Sequence, residues 1–260
     1  MGITYLATYT RDASLDQRST VFAKTLKEDM CSEITVTNFH RDAVEMDFLA
    51  HPNILSVTGI VDNGPTKPPI AIFPFMKGGN LFELLHMARP TPDNPSTLTL
   101  ADQIHMMICI ARGMEFLSKH YVHRDLAARN CVVGNDLVVK IADKTLAMDF
   151  YPNDYHELPD KPGRRLPVKW LPPEVLTRLS YSKMSDVWSF GVTFWEVLTF
   201  GEPPYIDVQP KDMMDHLDKG WRLMQPSICT DELFALIVRC WNMHVWDRSP
   251  FSAILSQVIV

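Results

Sequence analysis

The chain has 260 residues, 46% of them hydrophobic and 22% charged, which suits one large domain or two small lobes built on a real apolar core. The net charge of -6 argues against a general binder of nucleic acid or membrane surfaces. No apolar run reaches the ~18 residues of a membrane helix, no signal peptide opens the chain, and Leu6 stands where myristoylation after Met1-Gly2 needs Ser or Thr.

Ile3–Thr10 alternates apolar and polar residues, the period of a strand, and Thr20-Val-Phe-Ala-Lys-Thr-Leu26 is a second strand-like run. Between Asn38 and Leu49, Phe39, Ala43, Met46 and Leu49 recur at helical spacing. His51-Pro-Asn53 ends that helix, since proline disfavours helical geometry in the residue before it. Ile70–Phe75 is a further strand. After Lys77-Gly78-Gly79 the pattern turns helical, and Arg89–Thr97, with three prolines, reads as an exposed loop. Leu100, Ile104, Met107, Ile108, Ala111, Met114 and Leu117 form a helical stripe. Ser185-Asp186 is predicted to cap a helix that is apolar almost all round, hence central and buried, with Gly201 as its stop. The expected class is α+β: a strand-rich lobe over residues 1–76, then a mainly helical lobe over 77–260. The five cysteines, Cys31, Cys109, Cys131, Cys229 and Cys240, form no C-x-x-C pair. They suggest buried small hydrophobes in a reducing, cytosolic compartment rather than a zinc site or disulfide framework.

The segment that carries chemistry is His123-Arg-Asp-Leu-Ala-Ala-Arg-Asn130. It resembles the catalytic loop H-R-D-x-x-x-x-N of protein kinases, and its Ala127-Ala128-Arg129 insert is similar to that of tyrosine kinases. The resemblance implies a two-lobed kinase fold with ATP and Mg2+ as cofactors. Asp125 would take the proton of a substrate hydroxyl with Arg129 beside it, and Asn130 would hold a magnesium ion near the nucleotide. Lys24 resembles the lysine on the nucleotide phosphates, Phe73 the pocket gatekeeper, and Gly2 the last glycine of the Gly-rich loop, so the earlier glycines precede this chain. The C-terminal helix looks cut short at Val260. Leu166-Pro-Val-Lys-Trp170 looks like the tyrosine-kinase substrate platform. Glu174 is expected to pair with Arg248, and Asp186 to anchor the catalytic loop from below, all three in structural roles.

Three departures fall on the resemblance itself. One is the large Phe73 at the gatekeeper with Pro74 after it in the hinge, which active kinases tolerate; the other two weigh more. The D-F-G metal motif reads Asp143-Lys144-Thr145, which keeps the magnesium ligand Asp143 but puts a lysine in an apolar slot and a β-branched residue at a flexible glycine. Lys144 either pairs with Asp143 or Asp42, or swings out to solvent. Asp42 stands where a glutamate should pair with Lys24; Glu45, one turn on, is either its substitute or a solvated surface residue.

The retained Asp with lost Phe and Gly, Ser32-Glu-Ile-Thr-Val-Thr37, Phe150-Tyr-Pro-Asn-Asp-Tyr-His156, Gln225-Pro226, Cys229 and Asp231-Glu-Leu-Phe-Ala235 are together similar to the Ryk/Derailed family of atypical receptor tyrosine kinases. That resemblance implies the cytoplasmic side of a single-pass plasma-membrane receptor. It also implies Wnt binding through an extracellular part absent here, cytosolic signalling proteins or other receptor kinases as partners, and no nucleic acid. Two functions follow: a catalytically impaired pseudokinase acting as a signalling module, or an active ATP-dependent tyrosine kinase. Tyr151 and Tyr155 are either phosphorylation sites that recruit a partner, or packing residues.

Overall fold

The computed structural model describes residues 2–10, 18–37, 39–40, 49–64, 67–93, 95–142 and 147–258. It divides into two compact units, Met1–Lys77 and Gly78–Val260.

The first unit is an antiparallel sheet of order β1-β2-β4-β3. Its strands are β1 (Gly2–Thr10), β2 (Arg18–Leu26), β3 (Gly59–Val61) and β4 (Ile70–Pro74). The alternating runs at the start of the chain pair as a long hairpin, Gly2 opposite Leu26 through Thr10 opposite Arg18. The other side of β2 pairs with β4, from Val21 opposite Pro74 to Thr25 opposite Ile70. β3 is too short to read from sequence; three residues give no period. Residues 33–37 and 39–40 are helical (α1), several residues earlier than the apolar spacing indicates. Ser32 and Thr35 supply the reason: the Ser32 Oγ accepts the Thr35 N–H and the Thr35 Oγ1 accepts the Ser32 N–H, a reciprocal cap that starts the helix there. Val36, Phe39, Leu49, Ile54, Ala71, Ile72 and Phe73 are buried.

The second unit is mainly helical, and the antiparallel sheet unit and helical unit together make the α+β class. Its longer helices are α2 (Leu81–Ala88), α3 (Leu100–Leu117), α6 (Lys183–Leu198), α8 (Asp231–Cys240) and α9 (Phe251–Val258), with short α4 (Ala147–Phe150), α5 (Pro173–Arg178) and α7 (Met213–Asp218). β5 (Gly79–Asn80), β6 (Cys131–Val133) and β7 (Val139–Ile141) form a three-stranded sheet, and β8 (His156–Glu157) pairs with β9 (Arg165–Leu166). α3 starts at a capping box: Thr99 Oγ1 accepts from the Asp102 N–H and Asp102 Oδ2 from the Thr99 N–H.

α6 is the central buried helix that its apolar sequence requires, with Trp188, Phe190 and Phe194 almost completely enclosed. Its cap corrects the expected one. Ser182, not Ser185-Asp186, is the N-cap; its Oγ accepts the N–H groups of Met184 and Ser185, and Ser185 Oγ returns a bond to Ser182. Ser182 precedes the apolar run, whereas Asp186 lies inside the first turn and is free to face elsewhere. The helix ends after Leu198 in a Schellman arrangement, with the Gly201 N–H on the Glu196 carbonyl at 2.7 Å and the Phe200 N–H on Val197. Gly201 has φ +76, as expected of a stop, but Phe200 also takes a left-handed φ of 54. All five cysteines are free, four of them buried.

Candidate active site

The second unit gathers the residues of the His123–Asn130 loop around one buried carboxylate. Asp186, 1% exposed in the first turn of α6, accepts the backbone N–H groups of His123 at 2.7 Å and Arg124 at 2.9 Å. Those two bonds hold Arg124 in the left-handed region, φ 72, which costs a non-glycine residue free energy and so needs such anchoring. The loop then closes on itself. Asn130 Nδ2 donates to the Asp125 carbonyl at 2.6 Å, and the Ala142 N–H donates to the Asn130 carbonyl.

Asp125 is 7% exposed, and both carboxylate oxygens are taken. Arg129 donates to Oδ1 at 2.8 Å, and the Tyr155 hydroxyl donates to Oδ2 at 2.6 Å. Arg129 also donates from Nε to the Tyr155 hydroxyl at 3.1 Å and from its other terminus to Asp154 at 3.2 Å. Its guanidinium lies between two rings, 4.8 Å from the Tyr155 centroid and 4.2 Å from the Trp170 ring. Burial opposes the Arg129 charge, but Asp125, Tyr155, Asp154 and Glu196 more than offset it and raise its pKa. Burial, then Asp125, raises the Tyr155 hydroxyl, which therefore stays a donor at neutral pH. Arg165 fixes the backbone of the segment, donating to the Tyr155 and Pro152 carbonyls.

Tyr151 is half-buried, edge-on to Phe82 at 5.6 Å, its hydroxyl pushed up to about 12 by burial and by Glu83. Glu174 and Arg248 form a two-pronged pair at 2.6 and 2.9 Å, and Arg248 also donates to the Met184 carbonyl. In the first unit Lys24 is buried in β2 between Thr4 and Ala71 of its neighbours, Phe73 is buried in β4 opposite Phe22, and Gly2 opens β1. Asp42, Glu45, Asp143, Lys144 and Thr145 lie outside the described residues. Among the described residues no cluster of three or more His, Cys, Asp or Glu is placed to hold a metal ion. Asn130 spends its amide nitrogen on the Asp125 carbonyl, which leaves Oδ1, the hard oxygen donor magnesium prefers, unspent by that bond.

Sequence reading missed Asp154, Arg165 and Glu196. Glu196 carried a signal, a lone acid in the apolar run of α6; Asp154 and Arg165 carried none, because charged residues in a segment without apolar period are expected at the surface.

Residues 1–258 match the family described as protein tyrosine and serine/threonine kinase. The chain is 40% identical over 237 residues to the tyrosine-protein kinase RYK of Mus musculus and 41% over 237 residues to that of Homo sapiens. Each match covers 90% of this chain, and the chain spans 39% and 38% of those relatives' lengths. Both relatives bear out the resemblance to the Ryk/Derailed family read from the sequence. The chain belongs to the protein tyrosine and serine/threonine kinase family.

Proposed function

We propose that this chain is the kinase-like domain of a Ryk-like receptor and acts as a signalling module whose phosphotransfer site is held shut. The observation that supports this most is the Tyr155 hydroxyl on Asp125 at 2.6 Å. In the kinase reaction Asp125 takes the proton of the attacking hydroxyl, and here a tyrosine of the same chain sits in that place with Arg129 closing the other oxygen. Departures at Asp42, Lys144 and Thr145 add to the reading, since misplacing a magnesium ligand by ~1 Å costs on the order of 100-fold in rate. Partners are cytosolic signalling proteins or other receptor kinases that read the domain's shape or a phosphate on Tyr151. No helix among the described residues is long and apolar enough to cross a membrane; placement at the plasma membrane and response to Wnt rest on the resemblance to the Ryk/Derailed family alone.

The second reading is an active tyrosine kinase at rest. Lys24, Asp125 and Asn130, the residue types a working site needs, are all present. ATP and Mg2+ would then be held by Lys24, Asn130 and Asp143, the metal neutralising charge on the transferring phosphoryl. Transfer of labelled γ-phosphoryl to a poly(Glu,Tyr) substrate separates the two. The signalling-module reading expects none from the wild type or from Tyr155→Phe. Transfer unlocked by Tyr155→Phe would establish a resting enzyme.

A further inference from the structure

Arg129 holds both Asp125 and Tyr155, and what holds Arg129 lies one layer deeper. Glu196 is 1% exposed on α6, surrounded by Trp, Phe, Val and Leu of the same helix. A buried carboxylate there is costly unless its bonds are made. Its Oε2 accepts from the Trp170 indole at 2.8 Å and from the Ala128 N–H at 3.1 Å. Those donors are specific in position. Ala128 immediately precedes Arg129, and Trp170 is the ring that Arg129 lies against at 4.2 Å. One carboxylate therefore fixes both the backbone that carries Arg129 and the face on which its guanidinium rests. Its charge adds attraction to Arg129.

From this we infer that Glu196 is the positioning residue of the Arg129–Asp125–Tyr155 contact. It tethers the catalytic loop to the Trp170 platform so that Arg129 can seat Tyr155. Among the described residues the Glu196 carboxylate is hydrogen-bonded by the Ala128 N–H and the Trp170 indole, not by Asp125 or Tyr155, and it acts through Arg129. Other charged groups around it are Arg129 itself, on the catalytic loop, and Asp154, between α4 and β8. The inference rests on the reading that Tyr155 closes the site.

The test is amide hydrogen exchange of the full chain, comparing residues 152–158 with α8. Glu196→Leu removes both bonds and is expected to speed exchange at 152–158 about 10- to 100-fold, with α8 within about threefold of wild type. Glu196→Gln keeps an acceptor oxygen and is expected to restore protection to within about threefold. Should the leucine variant fail to fold, Trp170→Phe removes the indole bond alone and is expected to raise exchange at 152–158 about fivefold. A uniform rise across the domain, or no rise at 152–158, overturns the positioning role. Tyr155→Phe is the comparator. If it leaves 152–158 unchanged, the closed-site reading fails; if it speeds exchange while neither Glu196→Leu nor Trp170→Phe does, only the role of Glu196 fails.

Discussion

Replacing Tyr155 with Phe removes one oxygen and leaves the ring, so its effect follows from two bonds. The hydroxyl donates to Asp125 at 2.6 Å and accepts from Arg129 at 3.1 Å, with Tyr155 itself 5% exposed. Hydrogen bonds to charged groups contribute about 1.5–3 kcal/mol each, and a buried carboxylate oxygen left bare adds a desolvation cost. The packing of Arg129 against the ring survives. The expected loss is about 3–6 kcal/mol of docking free energy for the segment around Tyr155, equivalent to a shift of about 10²- to 10⁴-fold in its open population. Arg164 and Arg165 lie in that segment, so limited trypsin digestion reads the opening directly. Cleavage there should accelerate at least tenfold in Tyr155→Phe, while the melting temperature falls by a few degrees as undocking limits the global loss. Cleavage at the wild-type rate with an unchanged melting temperature would refute the reasoning, because it would mean that these two bonds contribute nothing to the closed segment.

Glu196 makes the fold pH-dependent in a stated direction. Burial raises its pKa from an ordinary 4.5 to about 7, so the folded chain keeps a proton that the unfolded chain has lost. The stability from this group is full below pH 4.5 and is lost as pH rises through 7, about 3 kcal/mol at most; Glu196→Gln should flatten that part of a urea-unfolding profile between pH 5 and 8.5. Asp186→Ala removes both anchors of the strained Arg124 backbone and should cost about 3 kcal/mol, read as a lower urea midpoint at unchanged slope. At Gly191 an added methyl would meet Trp241 at 2.7 Å and Cys240 at 2.8 Å, so Gly191→Ala should destabilise by about 1–3 kcal/mol despite the better helix propensity of alanine, and a raised melting temperature would contradict this packing.

Several features were legible in the sequence because they depend on local pattern. The alternation of Ile3–Thr10 and Thr20–Leu26 became the hairpin of β1 and β2, and the stripe from Leu100 to Leu117 became α3 over the same residues. The apolar run after Asp186 became a buried helix, since a helix with no polar face has nowhere else to go. The spacing of His123-Arg-Asp and Asn130 was legible too, because eight residues must bring an acid and an amide into one loop. What sequence could not decide was whose side chain meets whose. Ser182 took the cap from Ser185-Asp186 and thereby left Asp186 to hold the loop, a choice made by three-dimensional position. Tyr155 lies 30 residues from Asp125, Glu196 lies 68 from Ala128, and no local period encodes such pairings. They exist because a buried carboxylate must find donors wherever the packed chain supplies them. The chain's own pattern determined a kinase-like fold with a recognisable loop; the tertiary structure alone decided that Asp125 is already occupied.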